Sequence, residues 1–314
     1  MIHLDDDTIA DLLTLAAVEP VVWEAFAAWG RGEAATTQRV RASVTLPTGG
    51  AMASAMAAVV PPYSGGKVYA TKDGRFTFLN VLFDLDGRLL CTLDGDALTR
   101  FRTPAACSLA IDALAVPGAH TAALVGAGRQ GWYHLEMLAH RMPELTEVRI
   151  NDLRPEAVAD MVERARAVGI PAVAADSPTA AVDGVDVIVT VTQAVDPLFS
   201  ASAISDRALI CAVGATKYDR CEIGADVIDR CVAVVCDDVV GSAVECGDLI
   251  RAAKVGRFEW SRAVELNALA AGTVTVPRAG NGPVLFETQG VALQDVAAAG
   301  LAYELSTRRD METS

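Results

Sequence analysis

The sequence predicts an α/β protein whose centre is a Rossmann-type, doubly wound parallel sheet, with a β-rich segment of antiparallel strands before it. Three observations carry this. The stretch Thr121-Ala-Ala-Leu-Val-Gly-Ala-Gly-Arg-Gln-Gly131 reads as a buried strand, a G-x-G-x-x-G turn and the start of a helix. From Pro117-Gly118 onward, short apolar runs alternate with segments of helical spacing, the pattern of a parallel sheet with crossover helices. Between residues 39 and 94, apolar and polar residues alternate with a period of two, broken by turn residues, as in an antiparallel meander.

Taken in order, residues 4–29 form a helical pair or one interrupted helix. Asp5-Asp-Asp7 can cap its start, Ile9, Leu12, Leu13 and Leu15 recur at helical spacing, and Glu19-Pro20 is expected to break the pattern. In the meander, Val40, Ala42, Val44 and Leu46 share one face of a strand and Arg39 and Arg41 the other. Thr48-Gly49-Gly50 turns the chain into Ala51–Val60, which Pro61-Pro62 stops. Lys67–Thr71 and Phe76–Phe83 flank the turn Lys72-Asp-Gly-Arg75, and Asp86-Gly87 leads into Arg88–Leu93. Residues 96–116 are helical. Beyond the glycine turn come a helix over 132–141, a strand at 147–150, a helix over 157–168, a strand at 171–174 and a short helix at 178–182. Apolar runs at 185–190, 209–213 and 232–236 are further buried strands. Gly280-Asn-Gly282 precedes a strand at 284–286, and an apolar helix over 291–305 follows Gly290.

At 314 residues the chain suits two domains with a sizeable core. Its net charge of −14 argues against nucleic acid or an anionic membrane as a partner. Seven cysteines without a C-x-x-C pair fit a reducing cytoplasm better than a disulfide framework. The four histidines form no ligand cluster, so no metal site is expected. The N-terminal Met1–Asp7 lacks the features of a signal peptide, and no apolar run is long enough to span a bilayer.

The glycine turn has a chemical logic. Gly126 permits the tight turn, Gly128 lets backbone approach a pyrophosphate, and Gly131 lets helix pack on strand, while the helix start offers free N–H groups to the anion. Ala127, Arg129 and Gln130 complete the loop. Asp152 stands 21 residues after Gly131, at the end of the second strand, where an acid can accept from both ribose hydroxyls. NAD(H) is therefore the expected cofactor, with NADP(H) the alternative that nearby Arg154 admits. Without the strand, helix and acid around it, the same glycine pattern would be an ordinary βαβ turn.

Outside this fold, Arg41, Lys67 and Arg102 each lie beside a strand, turn or helix start. They form either a cationic pocket for a small carboxylate or three solvated surface charges. A polar loop, Gly214-Ala-Thr-Lys-Tyr-Asp219, follows a parallel strand, where ligands of open α/β sheets bind. Thr216, Lys217 and Asp219 are candidates there, unless the loop is a plain polar connection.

Leu93–Ala106 (LDGDALTRFRTPAA) resembles the DG–LT–RTAA segment of the ornithine cyclodeaminase/mu-crystallin family. Val125–Gln130, Val189-Thr-Val-Thr192, Ala212-Val-Gly-Ala215 and Gly290–Asp295 match its further motifs in order. The resemblance implies a substrate-binding and dimerisation domain made of 1–117 plus 290–314, with a Rossmann domain, 118–289, inserted in it. It implies a homodimer and a nicotinamide cofactor, with Thr190, Val191, Thr192, Val213, Gly214, Ala215 and Gly290 joining the glycine loop as cofactor-binding residues. It assigns Arg41, Lys67 and Arg102 to the substrate carboxylate. Two departures stand out. Thr216 stands where the cyclodeaminases and related alanine dehydrogenases carry an aspartate that works on the amine. The link from Lys67 to Val81–Phe83 is shorter than usual and lacks the family's P-x-H/N segment, with Leu79 near the place of a threonine.

The resulting expectation is a cytoplasmic NAD(P)H-dependent oxidoreductase acting on the C–N or C=N bond of a small amino or imino acid, catalysed by Lys67, Arg41, Arg102 and Thr216. The alternatives are an ornithine- or lysine-type cyclodeaminase, a cofactor-bound binding protein of the mu-crystallin kind, or an enzyme condensing two amino acids by carbon–nitrogen exchange.

Overall fold

The computed structural model describes residues 2–47, 49–72 and 75–312. The chain divides into two compact units, Met1–Ala106 with Ala270–Thr273 and Gly290–Ser314, and Cys107–Leu269 with Val274–Gln289.

The first unit opens with strand β1 (Ile2–Leu4), helix α1 (Asp6–Leu12) and helix α2 (Leu15–Gly30). Asp5 caps α1 by accepting from the Thr8 N–H at 2.9 Å. The interruption falls at Leu13-Thr14 and not at Glu19-Pro20. Thr14 caps α2 through the Ala17 N–H, and Pro20 sits inside the helix. A capped start and the buried face of Val18, Val22 and Phe26 outweigh the N–H that proline lacks. Strands β2 (Ala35–Thr36), β3 (Val40–Leu46), β4 (Gly49–Val60), β5 (Tyr63–Lys72), β6 (Arg75–Asp84) and β7 (Leu89–Asp94) follow. Each of β3 to β7 pairs antiparallel with the next, as the alternation predicts. Thr48, Asp73 and Gly74, central to two expected turns, lie outside the described residues. The strands around them pair as hairpins, Leu46 opposite Gly49 and Lys72 opposite Arg75. The parallel pairing of β1 with β7 was not legible, because three residues carry too little pattern.

Helix α3 (Asp96–Leu114) contains the division between the units. The second unit then alternates: β8 (Thr121–Val125), α4 (Arg129–Arg141), β9 (Glu147–Asn151), α5 (Pro155–Ala167), β10 (Ala172–Ala174), α6 (Pro178–Val182), β11 (Val187–Thr190), β12 (Leu209–Ala212), α7 (Ala225–Arg230), β13 (Ala233–Cys236), α8 (Val239–Glu245), α9 (Gly247–Lys254), β14 (Ala263–Glu265), α10 (Leu266–Ala270) and β15 (Val284–Glu287). All eight strands are parallel, in the order β10-β9-β8-β11-β12-β15-β13-β14. This is the Rossmann-type parallel sheet that the sequence predicts. β14 escaped the sequence reading, as did the place of β15, which is last in the chain but lies between β12 and β13. One core cluster joins Ala123, Ile188, Ile210, Val234 and Leu285 of the strands to Val182, Ile228 and Leu249 of the helices. Burial of each large aliphatic side chain there contributes about 1.5–3 kcal/mol.

Helix α11 (Ala292–Glu312) returns to the first unit and packs on β4, β5 and α2. Its start delivers Gln294 and Asp295, both buried, to one face of the antiparallel sheet. Among the described residues no helix is long and apolar enough to cross a membrane.

Candidate active site

Two groups of residues, one in each unit, have the chemistry of a site. In the second unit the glycine turn is built as its sequence requires. Gly126 has φ +117°, and an added Cβ would lie 2.6 Å from the Val191 carbonyl oxygen. At Gly131 a Cβ would lie 2.0 Å from the Gly126 oxygen, so no side chain fits. At Gly128 a Cβ would meet no atom within 4 Å, which leaves open space above the turn. Gly128 is also the N-cap of α4 and offers no side chain to its N–H groups. An unfilled cradle over uncapped helix N–H groups fits a pyrophosphate. Asp152 is partly committed. One carboxylate oxygen accepts from the Ala127 N–H at 2.7 Å, the other from the Arg154 N–H at 3.0 Å and its Nε at 3.2 Å. Burial pushes this carboxyl up, but the bonds from Arg154 and Ala127 more than offset it and hold the pKa below the usual range. Arg129, Arg154 and Arg164 line a cavity of about 360 Å³ beside the loop, with Arg164 stacked on Trp132.

The ends of β11 and β12 are tied together by a buried residue that no motif announced. Glu222 accepts from Thr192 N–H and Oγ1, both at 2.6 Å, from Thr190 Oγ1 at 2.9 Å and from Gly214 N–H at 2.7 Å. Thr190, Thr192 and Gly214 thereby share one carboxylate, with Val191 and Val213 between them. Thr216 N–H turns back to the Gly214 oxygen at 2.8 Å. Lys217 is half-buried and Asp219 exposed on the same loop. Asp248 accepts from the Glu222 N–H at 2.7 Å. Burial, then the charge of Glu222, raises the Asp248 pKa to about 7. Glu287 is fully buried and raised well above its ordinary value, by burial first and Asp248 second.

In the first unit, the strand registers place side chains in rows on one sheet face. Arg41 lies opposite Ser54, Ser54 opposite Tyr69, and Tyr69 opposite Phe78. The next row is Met56, Lys67 and Asn80. Lys67 is only 2% exposed, so its ammonium needs partners. Nζ donates to Thr99 Oγ1 at 2.7 Å and to Asp295 Oδ1 at 3.2 Å. Arg102 Nε lies 3.3 Å from the same Asp295 oxygen, and Arg102 Nη1 donates to Gln294 Oε1 at 2.7 Å. Burial pushes the Lys67 pKa down to about 8. Asp295 opposes that shift and Arg102 adds to it. Two cations thus share one buried carboxylate, which leaves net positive charge in the cluster.

Arg41, Lys67 and Arg102 therefore all belong to the first unit, on or beside one sheet face, while Thr216 belongs to the second. Gly290 is in the first unit, apart from the glycine loop in the chain. Its φ is +79°, its carbonyl accepts from Arg39 Nη2 at 2.8 Å, and a Cβ there would press on Arg102 Nη1 at 2.7 Å. Its visible work is to seat two arginines. Asp295, Thr99, Gln294 and Glu222 were missed by sequence reasoning. Asp295 and Thr99 lie inside motifs already singled out, and a buried lysine's need for a counter-charge could have pointed to Asp295. Glu222 had no such signal, because it sits in an irregular loop. The seven cysteines are all buried and free. Among the described residues no group of three or more His, Cys, Asp or Glu side chains could hold a metal.

The family model described as ornithine cyclodeaminase/mu-crystallin family matches residues 1–309. A Delta(1)-pyrroline-2-carboxylate/Delta(1)-piperideine-2-carboxylate reductase from Azospirillum brasilense is 31% identical over 314 residues, which cover 96% of this chain and 95% of its own. The crystal structure of a probable ornithine cyclodeaminase from Bordetella pertussis Tohama I is similar at 35% identity and a TM-score of 0.91, covering 98% of each chain. The iminosuccinate reductase of Paracoccus denitrificans, solved with NAD+, is similar at 25% identity and a TM-score of 0.91, covering 99% of this chain and 97% of its own.

Proposed function

The chain belongs to the ornithine cyclodeaminase/mu-crystallin family, and from that premise we propose that it reduces the C=N bond of a small carboxylated imine. The observation that carries the reading is the Lys67–Asp295–Arg102 cluster: a buried amine of lowered pKa beside a guanidinium, both held by one carboxylate. The relatives from A. brasilense and P. denitrificans, both named as reductases of such imines, support it.

A bound nicotinamide cofactor supplies the hydride. The first unit does the rest. Arg41 and Arg102 hold the substrate carboxylate, and Arg102 is itself oriented by Asp295 and Gln294. Lys67 is still an ammonium near neutrality, and its lowered pKa makes it a better acid than a solvated lysine. It donates a proton to the nitrogen that hydride addition leaves basic. Thr99 and Asp295 aim Nζ and take up the charge difference. Thr216 is not a base, because a hydroxyl proton is held too tightly near neutral pH. That sets the reading apart from deamination, which needs a group to take protons from the amine.

The second unit is the dinucleotide-binding domain in this reading. Ala127, Gly128, Arg129 and Gln130 take the pyrophosphate, Asp152 takes the ribose hydroxyls with its remaining lone pairs, and NAD(H) is preferred. The first unit also carries the homodimer contact. The exposed sheet face of Val40, Val44, Val68 and Leu79 is a continuous apolar surface of the kind that pairs with a copy of itself. Seven buried free thiols fit a reducing compartment, so the place of work is the cytoplasm.

The test is cofactor oxidation with pyrroline-2-carboxylate or piperideine-2-carboxylate, with NADH and NADPH in parallel, beside an ornithine-to-proline assay. Imine reduction, faster with NADH, and no comparable proline formation from ornithine are expected. Proline formation from ornithine at the imine rate would assign the chain to the cyclodeaminases instead.

A further inference from the structure

We infer that the substrate carries an aromatic or similarly flat apolar side chain, received by a wall of three rings beside Lys67. The inference rests on the imine-reductase reading for the reaction, but on different residues. Tyr69, Phe76 and Phe78 form one cluster on the sheet face that bears Lys67. The Tyr69–Phe78 centroids are 5.3 Å apart, Phe76 and Phe78 stack at 5.6 Å with planes 5° apart, and Lys67 Nζ lies 4.3 Å from the Phe78 centroid. The wall thus begins at the amine that would act on the imine nitrogen, and it runs outward to Phe76, which is 44% exposed. A flat ring entering beside Lys67 meets ring faces and edges at the spacing aromatic pairs prefer.

Three features make this a built subsite. Gly95, at the start of α3, leaves the space that Phe78 fills, since a Cβ there would lie 2.4 Å from the Phe78 Cβ. Ser54, in the row between Arg41 and Tyr69, is 3% exposed, and its Oγ has no hydrogen-bond partner among the described residues. An orphaned buried hydroxyl between a guanidinium and the rings is a waiting contact for a polar ligand atom. The rows Arg41–Ser54–Tyr69–Phe78, Met56–Lys67–Asn80 and Met52–Thr71–Phe76 hold no Asp or Glu. Asp295, at the same cluster, is already shared by Lys67 and Arg102. A second ammonium on the substrate therefore finds no partner on this wall, and a diamino acid is a poor fit.

The experiment compares α-imino acids formed in situ from methylamine and phenylpyruvate, pyruvate or oxaloacetate. Reduction puts the NADH hydride on the imine carbon and a proton on nitrogen, giving the N-methyl amino acid. The phenyl imine is expected to have a kcat/KM at least about tenfold above the other two, since even one methylene in a fitted pocket is worth about tenfold or more. In Phe76→Ala that ratio should collapse below about threefold, with Phe76→Leu intermediate as a check on folding. Calorimetry of 3-phenylpropanoate against succinate, with NADH present, should show the same order and the same loss. A ratio unchanged in Phe76→Ala, or a wild-type preference for the carboxymethyl imine, overturns the inference and leaves the reductase reading standing. No reduction of any imine, with Phe76-dependent binding of 3-phenylpropanoate retained, overturns the reductase reading and keeps the subsite. Absence of both the rate preference and the binding preference in the wild type overturns the inference.

Discussion

Lys67 sets the pH behaviour of the site. Burial lowers its pKa to about 8, and Arg102 contributes to that lowering. If the ammonium form donates the proton, kcat/KM for imine reduction should hold at neutral pH and fall as pH rises through about 8. Lys67→Met should remove that limb and lower kcat by about 10²–10⁴, the usual worth of general acid catalysis. Arg102→Ala should raise KM and also move the limb to higher pH, because the cation that disfavours the lysine's charge is gone while Asp295 remains. A limb that stays in place would detach Arg102 from Lys67. The stability sign is separate. Between about pH 8 and 10.5 the unfolded chain holds the Lys67 proton that the folded one has lost, so this residue makes folding more favourable as pH rises there.

Among elements, the loop between β12 and α7, the start of α9 and the end of β15 carry the buried acids Glu222, Asp248 and Glu287. Asp248 is raised from 3.8 to about 7 by burial and by Glu222, and Glu287 is raised well above its ordinary value by burial and by Asp248. The folded state then binds protons that the unfolded state has released. This contribution is full below the unfolded carboxyl range and is lost as pH rises through about 7. Thermal unfolding should therefore show a lower Tm at pH 8 than at pH 5.5. Asp248→Asn keeps an oxygen for the Glu222 N–H and removes the titration. It should raise Tm at pH 8 by roughly 2–4 °C, about 1 kcal/mol for a unit of this size, with less effect at pH 5.5. Circular dichroism melts at the two pH values decide it, and a wild-type Tm that does not fall toward pH 8 would count against the raised acids.

For the whole molecule, the consequence to test is the proposed homodimer. Val40 is 64% exposed, Val44 54% and Val68 53%, on a sheet face where β-branched residues would ordinarily be covered. Light scattering at micromolar concentration should give twice the chain mass of 32.8 kDa. Val68→Lys should shift it toward the monomer, because the charge lies at the centre of the apolar face. A wild-type mass of one chain would remove the interface, and imine reduction by that monomer would show the site complete without it.

What the sequence determined by itself is what local chemistry can encode. The strand–glycine–helix turn, the antiparallel alternation of 39–94 and the crossover pattern after Pro117 each follow from backbone sterics or side-chain period within a dozen residues. The identity of Arg41, Lys67 and Arg102 as candidates came from motif resemblance on the same short scale. Tertiary structure alone decided which distant groups share a charge. Asp295 reaches Lys67 across 228 residues of chain, and Glu222 gathers Thr190, Thr192 and Gly214 from two strand ends. It also decided that β15 lies between β12 and β13, and that Tyr69, Phe76 and Phe78 form one wall. A buried charge must find its counter-charge wherever the fold supplies one, and a strand must pair wherever an edge is open. Neither demand leaves a periodic trace in the chain, so neither was legible before the elements were packed.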